Sequence, residues 1–151
     1  MKSKKYTIAA IILINFSSDS DDSGAMKLPE EVQNSFKKMF PDEQIKEWKL
    51  KKKKMLYEIE FLKGAEKYEA YFSQDGKWIR TEREIKKTDL PEAVLEGLKK
   101  SDFSDWQIDE VEEHLLPENK LVYEIEVEHE EQEYDLYFES DGTLLGTMSK
   151  R

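Results

Sequence analysis

The chain contains no cysteine and only two histidines, His114 and His129. No disulfide can staple it, and no cysteine follows the N-terminal apolar run to accept a lipid. It also lacks a Gly-rich phosphate loop and a G-x-S-x-G turn, which leaves the usual nucleophile and base arrangements few places to sit. A non-enzymatic protein with no cofactor and no metal is expected. Long hydrophobic runs are absent too: the longest, Tyr6 to Phe16, is interrupted by Thr7 and Asn15 and is too short to span a bilayer as a helix. Positive charge is in deficit, with 24 Lys+Arg against 34 Asp+Glu and a net charge of −10. That balance argues against nucleic acid as a partner, although Lys49 and Lys51 to Lys54 cluster locally.

What is present reads first as an export signal. Lys2, Lys4 and Lys5 precede the apolar run, a polar stretch follows, and Ser23-Gly24-Ala25 offers small residues for cleavage after Ala25. Residues 1–25 are therefore expected to be signal and linker, and the product periplasmic or secreted. Within this stretch Asp19, Asp21, Ser23, Gly24 and Glu30 fall on calcium-loop positions, but Lys27 and Pro29 contradict the pattern and cleavage would cut it. A flexible acidic linker is the better reading.

The rest of the sequence is written twice. Leu28-Pro29-Glu30 returns as Leu90-Pro91-Glu92, and Tyr57-Glu58-Ile59-Glu60-Phe61 returns as Tyr123-Glu124-Ile125-Glu126-Val127. Tyr68 to Phe72 with Asp75-Gly76 matches Tyr134 to Phe138 with Asp141-Gly142. The separation is 62 residues at the first match and 66 at the others, so the second copy carries a four-residue insertion. Boundaries of 26–87 and 88–151 follow. A unit of about 60 residues is marginal alone, so the copies are expected to pack together or share a sheet. At 38% charged and 11% aromatic residues, the chain is soluble and folded.

In each copy a helical period precedes a period of two. Val32, Phe36, Met39 and Phe40 predict one apolar helix face, as do Val94, Leu95 and Leu98, with Pro29 and Pro91 in the first turns and Asp89 with Glu92 as a capping box. Strands are expected around Trp48 to Leu50, through Tyr57 to Phe61, through Tyr68 to Phe72 and through Trp78-Ile79, with their counterparts in the second copy. Asp75-Gly76 and Asp141-Gly142 are hairpin signals. The fold class is α+β: a tandem repeat of two helix-plus-four-antiparallel-strand units, with the helices on one face of the sheet.

The L-P-E opening, the Y-E-I-E strand and the Y-F-x-x-D-G hairpin resemble the PepSY-like, beta-lactamase-inhibitor-like family of exported Bacteroidota proteins. The resemblance covers residues 26 to 151 and implies an inhibitor-like fold, a sheet backed by helices on one side. It carries over no functional residues.

Period two places Tyr71 with Glu58 and Glu60 on the helix-free face, and Tyr137 with Glu124, Glu126 and Asp135 on its counterpart. Trp78 is a further candidate for that face. Exposed tyrosines there would supply rigid contact area with a polar tip, as binding surfaces use, or would serve only as cross-strand pairs. Charge is uneven: residues 28–87 hold 15 Lys+Arg and 12 Asp+Glu, net +3, whereas residues 88–151 hold 5 and 19, net −14. The run Glu126, Glu128, His129, Glu130, Glu131, Glu133 reads as a solvated hairpin rather than a metal site. The expected function is that of a binding protein, of inhibitor type if the resemblance holds, with a protein or peptide partner of basic character. The alternative is a cation-binding or cation-buffering protein using the acidic second copy.

Overall fold

A computed structural model of the chain describes residues 27–150. The expected export signal and most of the calcium-loop pattern lie outside the described residues. Among those described, no helix is long and apolar enough to cross a membrane.

The first repeat runs α1 (Glu30–Met39), β1 (Ile45–Lys51), β2 (Leu56–Lys63), β3 (Glu66–Ser73) and β4 (Trp78–Glu84). The second runs α2 (Glu92–Lys99), β5 (Gln107–Leu116), β6 (Lys120–His129), β7 (Gln132–Glu139) and β8 (Leu144–Ser149). The strands follow chain order in one eight-stranded sheet, β1-β2-β3-β4-β5-β6-β7-β8. By contacts, residues 27–83 with 114–120 form one compact unit, and 84–113 with 121–150 form the other.

Helix α1 begins after Pro29, which stands at the N-cap with ψ 144°, and ends where Pro41 cannot continue it. Glu30 and Glu31 in its first turn and Lys37 and Lys38 in its last complement the helix dipole. Val32 and Phe36 are buried, while Met39 is 39% exposed and does not join the predicted face. Pro91 is likewise the N-cap of α2, and no side chain caps that end. Asp89 instead closes a 3-10 turn, Lys87–Asp89, so the capping box does not form.

Each helix covers its own apolar cluster. Leu28, Val32 and Phe36 meet Tyr57, Ile59, Phe61, Ala70 and Phe72 in the first repeat. Leu90, Val94 and Leu98 meet Tyr123, Ile125, Val127, Leu136 and Phe138 in the second. In the second repeat Phe103 and Trp106, between α2 and β5, pack on Tyr134, and Trp106 also lies 5.4 Å from the His129 ring.

The Asp-Gly turns hold the helices against the strands. Gly76 has φ +82°, and a Cβ there would stand 2.7 Å from the Glu31 carbonyl oxygen. Gly142 has φ +87°, and a Cβ would overlap the Ala93 carbonyl, while one on Gly97 would overlap the carbonyl of Gly142. Glycine is required at 76 and 142 both by the left-handed backbone and by the close approach of the helix, and at 97 by the close approach alone.

Candidate binding face

In the first repeat the helix-free face is organised around Tyr71. Its register partners are Glu58 on β2 and Arg80 on β4, which fixes all three side chains on one side of the sheet. The hydroxyl lies 2.6 Å from Glu82, 3.0 Å from Glu58 and 3.2 Å from Glu69. One O–H proton serves one acceptor, and the shortest contact assigns it to Glu82. Each carboxylate has its own cation: Lys51 at 3.1 Å from Glu58, Lys67 at 2.7 Å from Glu69, and Arg80 Nε at 2.8 Å from Glu82. His114 Nε2 is 3.6 Å from Glu82, and the Arg80 guanidinium lies over the Tyr71 ring at 3.9 Å from its centroid.

The centre of this network is buried, with Tyr71 7%, Arg80 2% and His114 2% exposed, while Lys67 and Glu69 at its rim reach solvent. Burial, reinforced by the Glu82 charge, pushes the Tyr71 hydroxyl well above its ordinary pKa, so it stays a donor. Burial pushes the Glu82 carboxyl up, but Arg80, His114 and the hydrogen bonds from Tyr71 and Arg80 outweigh it and hold the group below its ordinary range. Outside the network Glu60 accepts from Lys46 at 2.7 Å and lies 3.3 Å from Lys67; the Lys46 hydrogen bond leads in holding its carboxyl low. Such exposed pairs contribute about 0–1 kcal/mol each.

The second repeat fills the same slots differently. Tyr137 faces Glu124 and Gly146, so glycine stands where Arg80 stands opposite Tyr71. At the constant 66-residue spacing, Met148 replaces Glu82, Glu133 replaces Lys67, and Lys150 replaces Glu84. Lys150 serves two carboxylates, bonding Glu126 and lying 3.3 Å from Asp135. Asp135 is 2% exposed. Its burial raises the carboxyl to about 6; Lys150 opposes this, while Glu126 and Glu112 add to it. Burial, followed by Glu112, Glu84 and Glu126, also raises Glu110. Lys150 is itself raised, its two carboxylate partners outweighing the cost of its burial.

Tyr71 and Tyr137 thus occupy the face that period two assigns them, but they are not exposed: Tyr137 is 1% accessible. Arg80 covers Tyr71, an instance of a long side chain folding over a neighbour that strands flank on both sides. Glu58 and Asp135 are buried as well, and of the predicted set Glu60, Glu124 and Glu126 are the partly accessible acids. Trp78 is on the wrong face. The register shift between Tyr71 and Phe72 pairs Trp78 with Phe72, and it packs on the apolar cluster beneath α1, donating to Thr81 at 3.0 Å. Sequence reading missed Arg80, Glu82, His114, Lys67 and Lys150. The alternation of Arg80 and Glu82 about Thr81 was the available signal for two of them.

A family model described as "Putative beta-lactamase-inhibitor-like, PepSY-like" matches residues 22–68 and 55–146. The chain belongs to this PepSY-like family. Its fold is similar to that of a "BLIP-like protein" from Bacteroides fragilis NCTC 9343, with 27% identity, a TM-score of 0.71, and coverage of 85% of this chain and 90% of that one. A DUF2874 family protein from Bacteroides ovatus ATCC 8483 matches at 23% identity and TM-score 0.73, over 83% of this chain and 89% of that one. A protein of Bacteroides eggerthii DSM 20697 described as "putative periplasmic" matches at 24% and 0.71, over 82% and 90%. No curated protein matches.

Proposed function

We propose that this PepSY-like protein is a non-enzymatic, exported binding protein of inhibitor-like type, and that the helix-free face of its sheet contacts a protein or peptide partner. The observation that carries this reading is the Tyr71 network. Its carboxylates are each matched to a cation and its ring is clamped by Arg80, which makes a rigid support for a contact surface rather than a reactive centre. Glu60, Glu124 and Glu126 form the accessible layer, with Tyr71, Tyr137, Glu58 and Asp135 as the support beneath. The family's inhibitor-like description and the periplasmic description of one structural relative support export and binding. Cation binding would draw on the same acids of the second repeat. There the Lys150 ammonium already stands between Glu126 and Asp135, which favours the protein partner.

The test is capture from an envelope extract with the protein and with a Glu124→Lys/Glu126→Lys variant. A partner retained by the protein and by a Lys38→Glu helix control, but lost from the face variant, is the expected result. Equal capture by both variants would remove the face from the interface.

A further inference from the structure

The two ends of the sheet are protected very differently. Strand β1 carries Lys46, Glu47, Lys49 and Lys51 and a register irregularity between Ile45 and Glu47, devices that keep an edge from pairing with another chain. Strand β8, Leu-Leu-Gly-Thr-Met-Ser, has no charge and no proline, and Leu144 is 39% exposed. Among the described residues, no strand pairs with its outer edge.

The register fixes which backbone groups point outward. The Lys150 N–H donates to the Glu133 carbonyl at 3.0 Å, and the pairs Asp135↔Met148, Leu136↔Thr147 and Tyr137↔Gly146 follow in step. Inward-bonded and outward-facing residues alternate in an antiparallel pair, so Met148 bonds toward β7 while the N–H and C=O of Thr147 face outward.

We propose that β8 is a docking edge which takes an extended, basic segment of a partner protein as a further strand. This deepens the binding-protein reading and rests on it. Charge selects the occupant. Residues 88–151 hold 19 acids against 5 bases, and the carboxylates on the same side of the sheet as Met148, Glu126 and Asp135, share one lysine. An added strand lies about 4.8 Å beyond β8, within reach of a lysine or arginine stem passing over Gly146 and Met148. A second copy pairing β8 against β8 would instead set two repeats of net −14 side by side, and like charges disfavour that contact.

The probe is an end-blocked octapeptide alternating threonine and lysine, with a threonine–glutamate octapeptide as control, measured by fluorescence anisotropy at physiological ionic strength. The protein is compared with Thr147→Pro, which deletes the outward N–H at a position where an edge strand tolerates proline, and with Thr147→Val, which keeps it. Saturable binding of the lysine peptide, unchanged in Thr147→Val and weakened about tenfold or more in Thr147→Pro, is expected. The glutamate peptide should not bind. Equal affinity of Thr147→Pro, with its cooperative unfolding intact, would overturn the edge proposal, as would a peptide-free dimer that Thr147→Pro abolishes. If Glu124→Lys/Glu126→Lys loses the peptide and Thr147→Pro does not, the face reading stands and the edge fails; if neither variant matters, both fail.

Discussion

The two repeats share a fold but treat their helix-free faces in opposite ways. In the first, Lys51, Lys67 and Arg80 alternate with Glu58, Glu69 and Glu82, so buried charge is neutralised locally and Tyr71 is clamped. In the second, Gly146, Met148 and Glu133 occupy the slots of Arg80, Glu82 and Lys67, and one lysine, Lys150, bridges both Glu126 and Asp135. Duplication preserved the strands and turns, which the apolar face and the Asp-Gly hairpins dictate. The polar face was left free to diverge, and it became self-sufficient in one copy and acidic in the other.

The largest effect should come from breaking the balanced copy. Arg80→Met leaves Glu82 buried without its closest cation and should cost about 3–5 kcal/mol in urea unfolding. Adding Glu82→Met, which copies the second repeat's Met148, should recover at least about 1 kcal/mol of that, because the uncompensated charge goes with it. A double variant no more stable than the single one would mean that the network is held by something other than charge compensation.

Next come the turns that the copies share. Gly142→Ala should destabilise by about 2–3 kcal/mol and Gly76→Ala by about 1–2 kcal/mol, since both need positive φ but the Cβ at 142 meets the helix backbone more closely. Reversed order in thermal unfolding would show that the second helix yields more readily than the first.

Asp135 sharpens the electrostatic contrast through pH. Its folded-state pKa of about 6 lies above its unfolded value near 3.8, so between these the folded state binds more protons. Stability therefore falls as pH rises through about 4 to 6, and the full penalty applies above that window. Asp135→Asn should stabilise by on the order of 1 kcal/mol at pH 7.5 and have little effect near pH 4. Its counterpart in the first repeat, Glu69→Gln, removes a partly exposed pair with Lys67 and should instead cost up to about 1 kcal/mol. Stabilisation of both variants at pH 7.5 would erase the distinction.

The smallest effect lies at the β6–β7 turn. Glu130 holds φ +56° where the first repeat has Gly64, so Glu130→Gly should gain up to about 1 kcal/mol by relieving the left-handed strain. Gly64→Ala should lose a similar amount.

The elements were legible because period-two alternation, the paired L-P-E openings and the Asp-Gly turns are local signals. Alternation says which face a residue takes, not how deep it lies, so Tyr71 and Tyr137 were assigned the right side and the wrong exposure. Trp78 was misplaced because the bulge beside Phe72 shifts the register by one residue, which no periodicity reveals. The −14 of the second repeat was visible as a count. Its convergence on Lys150 depends on strand register and was not.

The most direct test of the claim that the acidic repeat engages the partner is the exchange rate of one backbone amide, that of Thr147, with and without the threonine–lysine octapeptide. At saturation the outward-facing Thr147 amide should become strongly protected while the Met148 amide, already bonded toward β7, changes little and the β1 amides do not change at all. A Thr147 amide that exchanges at its original rate in the saturated complex, or protection confined to β1, would contradict the account.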